Sequence, residues 1–179
     1  MDTQEIVKHL TSGIANRKEY LALAVDRGLG EGMQIEKWLL TEMLARLIQL
    51  KRDGVLSAVE GEHKYPKKKG TRYEHCDLWW RVDNQEYWLE VKTVVPQEGQ
   101  QQWSKQIRGD LGKGSRLRAT DVFHHLTFVF PVEASAEEVW RQQVTALYQS
   151  KGFLCEAIWT SELWNHQELL MLMFTKARR

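Results

Sequence analysis

The chain has 179 residues, of which 42% are hydrophobic and 27% charged, which suits one globular domain and excludes wholesale disorder. Lys plus Arg number 25 against 24 Asp plus Glu, a net charge of +1, so any attraction to a polyanion must be local. The two cysteines, Cys76 and Cys155, form no CxxC pair. That leaves a zinc site and a disulfide framework without support and fits a reducing cytoplasm. The N-terminus MDTQEIVKHL has acids and no apolar core, so no signal peptide is expected. The apolar run Leu169–Phe174 is too short to span a bilayer.

In chain order, residues 3–10 and 14–27 read as two short helices split by Thr11-Ser12-Gly13, and Gly28, Gly30 and Gly32 mark a joint. Residues 33–51 carry the strongest helical period, with Ile35, Leu39, Met43 and Leu47 on one stripe, and Asp53-Gly54 stops it. Val55–Lys64 reads as a strand, followed by the basic loop KYPKKKGTR over 64–72. Cys76–Val82 and Tyr87–Val95 read as strands around a turn at Asp83-Asn84-Gln85-Glu86. Trp103–Leu117 reads as a basic helix and His124–Val132 as a buried strand. Ser135, with Glu138 as its capping box, opens a helix to Ser150. Phe153–Trp159 and Leu169–Phe174 are two late strands. The order predicts a mixed sheet with helices on it.

The hairpin concentrates the polar chemistry. Leu78, Trp80 and Val82 alternate to one face, as do Tyr87, Leu89 and Val91. Burying those sets together gathers Asp77, Trp79, Arg81, Trp88, Glu90 and Lys92 on the other face. A two-residue turn at Asn84-Gln85 predicts Asp77 opposite Lys92 and Trp79 opposite Glu90. Two converging carboxylates repel and raise each other's pKa unless a cation lies between them. A divalent cation such as Mg²⁺ takes hard oxygen ligands of this kind. A lysine beside it suits phosphodiester hydrolysis. The competing reading is a salt-bridged exposed face, Asp77 with Lys92 and Glu90 with Arg81.

The pattern Asp77-x12-Glu90-Val91-Lys92 sits on a hairpin preceded by an amphipathic helix and a strand. It resembles the PD-(D/E)xK nuclease superfamily, with its restriction-endonuclease-like fold, over residues 31 to 132. The resemblance implies that Asp77 and Glu90 hold Mg²⁺ or Mn²⁺, that the Val91 carbonyl is a further ligand, and that Lys92 positions the attacking water. The family also draws a glutamate from the first helix. Glu42 is the best match, at the edge of the apolar arc. Glu36, near the middle of that arc, is read as a partner of the helix dipole. Cys76 stands where the family often has proline. The helix after the lysine often aims polar groups at the site, and here it offers Gln106, Arg108, Asp110 and Lys113.

The basic loop brings Lys64, Lys67, Lys68, Lys69 and Arg72 with no acid among them, enough to neutralise several phosphates. Lys105, Arg108, Lys113, Arg116 and Arg118 form a second cluster. The expected nucleic-acid contacts are thus Lys67, Lys68, Lys69, Arg72, Gln106, Arg108 and Lys113. Trp79 and Trp88 share the site face, either packed under a helix or stacking on bases. Cys76 as a nucleophile lacks an evident base.

Together these readings predict an α/β restriction-endonuclease-like domain over 31–179, a mixed sheet flanked by helices, with a short helical extension over 1–30. The expected function is a cytoplasmic, Mg²⁺- or Mn²⁺-dependent nuclease acting on DNA, with no membrane partner. The alternative is a non-catalytic nucleic-acid-binding or complex-forming module on the same fold. A lone catalytic domain implies a homodimer or a partner protein, and Trp159 and Trp164 offer surface for one.

Overall fold

A computed structural model describes residues 3–15, 17, 19–20, 32–66, 74–96, 100–164 and 166–176. Six strands form one mixed sheet: β1 (Ala58–Gly61), β2 (Leu78–Val82), β3 (Gln85–Val94), β4 (Val122–Glu133), β5 (Phe153–Trp164) and β6 (Gln167–Lys176). Their order across the sheet is β1-β2-β3-β4-β6-β5. Among the described strands only the β3–β4 pair is parallel. It needs a crossover, and α3 (Gln100–Leu111) lies within it.

Helices cover both faces. On one face α1 (Thr3–Ala15) and α2 (Gly32–Arg52) bury Ile6, Leu10, Ile14, Ile35, Leu39, Met43 and Leu47 against Leu78, Trp80, Leu89, Val91, Leu126 and Phe128. On the other, α3 and α4 (Glu137–Gln149) bury Trp103, Ile107, Val144 and Tyr148 against Trp79, Trp88, Phe123, Val129, Leu172 and Phe174. The alternation of β3 and β4 accounts for both layers, since each strand feeds one core with odd-numbered and the other with even-numbered side chains.

The α2 stop falls where expected. Gly54 takes φ 76°, its N–H donates to the Lys51 carbonyl (3.1 Å), and Val55 N–H donates to the Leu50 carbonyl (2.9 Å). These are the two bonds of a Schellman cap, which needs the left-handed residue that glycine supplies cheaply.

Several expected boundaries move. α1 runs unbroken through Thr11-Ser12-Gly13. Gly13 lies inside the helix against the Arg46 guanidinium of α2, a Cβ there meeting Arg46 Nε at 2.9 Å, and marks no break. The apolar face of α1 also joins the sheet's own core. Most of the second predicted N-terminal helix, with Gly28 and Gly30, lies outside the described residues. β1 is shorter than Val55–Lys64 because Glu62 turns to φ 53°. Pairing resumes beyond it, with Cys76 N–H donating to the His63 carbonyl (2.9 Å) and Tyr65 N–H to that of Glu74 (3.0 Å). The helix predicted over Trp103–Leu117 ends at Leu111, and Lys113–Arg116 is a 3-10 turn. No capping box forms at Ser135. That residue lies in the 3-10 turn Ala134–Ala136, and Ala136 caps α4 without a side-chain bond. Glu138 instead pairs with Arg141 and accepts from Gln142. β5 and β6 extend well past their predicted ends. Among the described residues no helix is long and apolar enough to cross a membrane.

Candidate active site

The hairpin turn is Asp83-Asn84, with Val82 paired to Gln85, one residue earlier than predicted. Asp83 takes φ 51°, a conformation aspartate tolerates better than most residues. Pairing therefore slides by two residues: Trp79 faces Trp88 and Leu78 faces Leu89. A slide of two keeps every side chain on its face. The predicted face set survives, but Asp77 comes level with Glu90 rather than Lys92.

β2 begins at Leu78, so past Glu90 the outer edge of β3 has no strand beside it among the described residues. Side chains fill the vacancy. Val91 N–H donates to Asp77 Oδ2 (2.7 Å) and Thr93 N–H to Glu36 Oε2 (3.3 Å). Buried backbone donors must find acceptors; here the strand's unpaired amides hold two carboxylates at the end of the hairpin.

The charged groups then alternate along one chain. Glu36 Oε1 lies 3.6 Å from Lys92 Nζ, which lies 3.0 Å from Asp110 Oδ2. Asp110 Oδ1 lies 2.5 Å from Lys113 Nζ, which lies 3.0 Å from Glu90 Oε2. Tyr65 donates its hydroxyl to Glu90 Oε1 at 2.7 Å. Glu90 is 1% exposed. Burial, then the neighbouring Asp77, push its carboxyl up to about 8 against the pull of Lys113. Burial also raises Asp77, opposed by the Val91 N–H and Lys92. Glu36 is raised by burial against Lys92. For Lys92 burial works downward, but Glu36, Asp110 and Asp77 outweigh it and keep the ammonium strongly charged. Asp110 runs the other way: burial would raise it, but Lys92 and Lys113 hold it below the usual carboxylate range. Tyr65 is raised by burial and by Glu90, so it remains a phenol.

Asp77, Glu90 and Lys92 do gather, and Val91 adjoins them, holding Asp77 through its N–H. Glu42 does not join them: it faces Arg17 at 2.6 Å, six residues and about 9 Å along the helix from Glu36. Glu36, placed in the middle of the apolar arc, is the helix glutamate that reaches the site, and it lies beyond the first turn of α2. The competing salt-bridge pairs are not the ones formed, since Arg81 pairs with Glu86 at 3.2 Å.

Of the expected nucleic-acid contacts, Lys113 reaches Glu90, while Gln106 and Arg108 are exposed on α3. Lys67, Lys68, Lys69 and Arg72 lie outside the described residues. In the second basic cluster Arg116 is taken by Glu74, and Arg118 by Glu86 and Asp121. Trp79 and Trp88 are buried in the core shared with Trp103 and Ile107 of α3, and the β1–β2 connection adds ring contacts: His63 stacks on Trp79 (4.3 Å) and Tyr65 on Trp88 (5.1 Å). Cys76 is buried, and burial, then Glu90 and Asp77, push its thiol up, which suits no nucleophile. Trp159 packs against the core, and the side chain of Trp164 lies outside the described residues.

Tyr65 and the bridging role of Asp110 are what sequence reasoning missed. Tyr65 sits inside a stretch read only for its lysines, and its partner is 25 positions away. Behind the site lies another polar group, His125, level with Glu90 on β4. Its Nδ1 is 3.4 Å from the Tyr148 hydroxyl, which meets Thr127 at 2.8 Å. Among the described residues no group of three or more His, Cys, Asp or Glu is gathered so as to hold a metal ion; the carboxylates are bridged by lysines. No family model, curated protein or solved structure matches this chain.

Proposed function

We propose that this site hydrolyses phosphodiester bonds in nucleic acid, DNA being the expected substrate, with Mg²⁺ or Mn²⁺ held by Asp77 and Glu90 on a restriction-endonuclease-like fold. The observation that carries the reading is the level pair Asp77 and Glu90, with Lys92 two residues on and Glu36 entering from α2. The pair fits a divalent cation. Both donors are hard oxygens, both are raised by burial, and Glu90 sits near 8, so the pocket is short of positive charge. Mg²⁺ commonly takes one or two carboxylates and completes its shell with water. A bound cation would polarise the phosphate and offset charge in the transition state.

The chain's own groups do the rest. Glu36 and Asp110 grip Lys92 from two sides and hold its ammonium beside the acid pair. There it donates a hydrogen bond to the attacking water and steadies the charge gathering on the phosphate. Tyr65 fixes the rotamer of Glu90. Gln106 and Arg108 lie on exposed α3 surface near Asp110 and offer contacts to the substrate backbone.

One observation favours a second reading, a non-catalytic binding or complex-forming module. The ion pairs form a continuous chain from Glu36 to Glu90 in which both lysines are already satisfied. Incubation with supercoiled plasmid, single-stranded DNA and RNA, in Mg²⁺, Mn²⁺ or EDTA, separates the two. The nuclease reading predicts cleavage of at least one substrate that EDTA abolishes and Asp77→Asn reduces by about a hundredfold or more. Intact substrates throughout would leave the binding module.

A further inference from the structure

Lys113 has two anchors and sits on the carboxylate that a cation would need. Its Nζ contacts Glu90 Oε2 at 3.0 Å and Asp110 Oδ1 at 2.5 Å. The other Glu90 oxygen is taken by Tyr65 and Asp77 Oδ2 by the Val91 N–H. The backbone beneath Lys113 is clamped. A Cβ on Gly114 would meet Phe123 Cδ1 at 2.2 Å, so the backbone next to Lys113 passes close against that ring. Movement is thereby left to the lysine side chain, whose four-carbon stem can release one anchor and keep the other.

Resting on the metal reading above, we propose that Lys113 is a built-in counter-ion standing in for the divalent cation. Cation binding displaces its ammonium from Glu90, and the ammonium, still paired with Asp110, is then presented to the substrate phosphate. The logic is that of charge balance. A carboxylate as buried as Glu90 is costly without a positive partner. Without a cation Lys113 is that partner. With one, the ammonium and the metal are two cations competing for the charge of the same oxygen, and they repel each other there. Lys92 plays no such part, since its contacts are Glu36 and Asp110 and not Glu90.

The test is Mn²⁺ titration by calorimetry, without nucleic acid, of the wild type, Lys113→Gln, Lys113→Arg and Lys92→Gln. Lys113→Gln removes the competing charge but leaves an amide donor for Glu90. It is expected to bind Mn²⁺ about tenfold more tightly, because the binding-competent state no longer has to be freed first. Lys113→Arg keeps the competitor and is expected to bind no tighter than the wild type. Lys92→Gln removes an equal charge from the same site and is expected to gain less than about threefold, since it displaces nothing. Thermal unfolding supplies a second readout: Mn²⁺ should raise the melting temperature of Lys113→Gln more than that of the wild type. Equal affinities in wild type and Lys113→Gln, or an equal gain in Lys92→Gln, would overturn the counter-ion role while leaving the metal site standing. No Mn²⁺ binding in any of the four proteins would overturn the metal reading and this inference with it.

Discussion

Glu36 shows how a single residue can be misjudged for a good reason. An acid in the middle of an apolar arc reads as an intruder to be explained away by the helix dipole. Yet the middle of that arc is what faces the sheet, so a charge there is carried into the interior, where it must meet a donor. Glu36 meets Thr93 N–H and Lys92, whereas edge-placed Glu42 meets the exposed Arg17. The same logic applies to His124, buried on β4 with its Nδ1 2.8 Å from Thr175 Oγ1 and its ring stacked with Trp80 and Tyr87. Burial pushes it down to about 3, so it stays neutral in the fold while the unfolded chain protonates near 6.5. Its contribution to stability is complete above that value and is lost as pH falls towards 3, by about 1.4 kcal/mol per pH unit. His125 and Glu90 titrate too, but they are common to wild type and His124→Gln, so the difference isolates His124. Urea denaturation should show the wild type losing about 2 kcal/mol more than His124→Gln between pH 7.5 and 5. Parallel losses would contradict a neutral, buried His124.

At the scale of elements, the hairpin separates what alternation encodes from what it does not. The two-residue period assigned Asp77, Trp79, Glu90 and Lys92 to one face, as the strands have it. It could not choose between turns at Asp83-Asn84 and Asn84-Gln85, because both keep that face and differ only by a two-residue slide. That slide decides whether Asp77 faces a lysine or a glutamate, hence whether the site begins as an ion pair or as an acid pair. α2 makes the corresponding choice through its rotation, and it yields a direct comparison. Glu36→Gln should slow metal-dependent cleavage about tenfold or more by loosening Lys92. Glu42→Gln should stay within about twofold and cost at most about 1 kcal/mol of stability, the usual worth of an exposed ion pair. Cleavage assays with unfolding curves on both variants check this. A larger rate loss in Glu42→Gln would return the helix glutamate to position 42.

For the whole molecule, the order of helices and strands predicts a mixed sheet flanked by helices, and the six-strand sheet has that form. The strand order was less legible, because nothing local specifies that β6 inserts between β4 and β5. Nor does local sequence say that α1 belongs to the main core; Gly13 suggests a break until its close contact with Arg46 is seen. The site is assembled at this scale. Glu36 from α2, Asp77 and Glu90 from the hairpin, Asp110 from α3 and Tyr65 from the β1–β2 connection meet only once the β3–β4 crossover has folded back. Long-range assembly of this kind leaves no short motif for Tyr65 or Asp110.

The proposed chemistry turns on Lys92, and the decisive comparison is the initial rate of supercoiled-plasmid nicking in Mg²⁺ by the wild type and by Lys92→Ala, purified identically and shown to be folded. With Lys92 positioning the attacking water, the wild type is expected to nick the plasmid and the variant to lose about a hundredfold or more of that rate. Equal rates in the two proteins, or none in either, would contradict that chemistry.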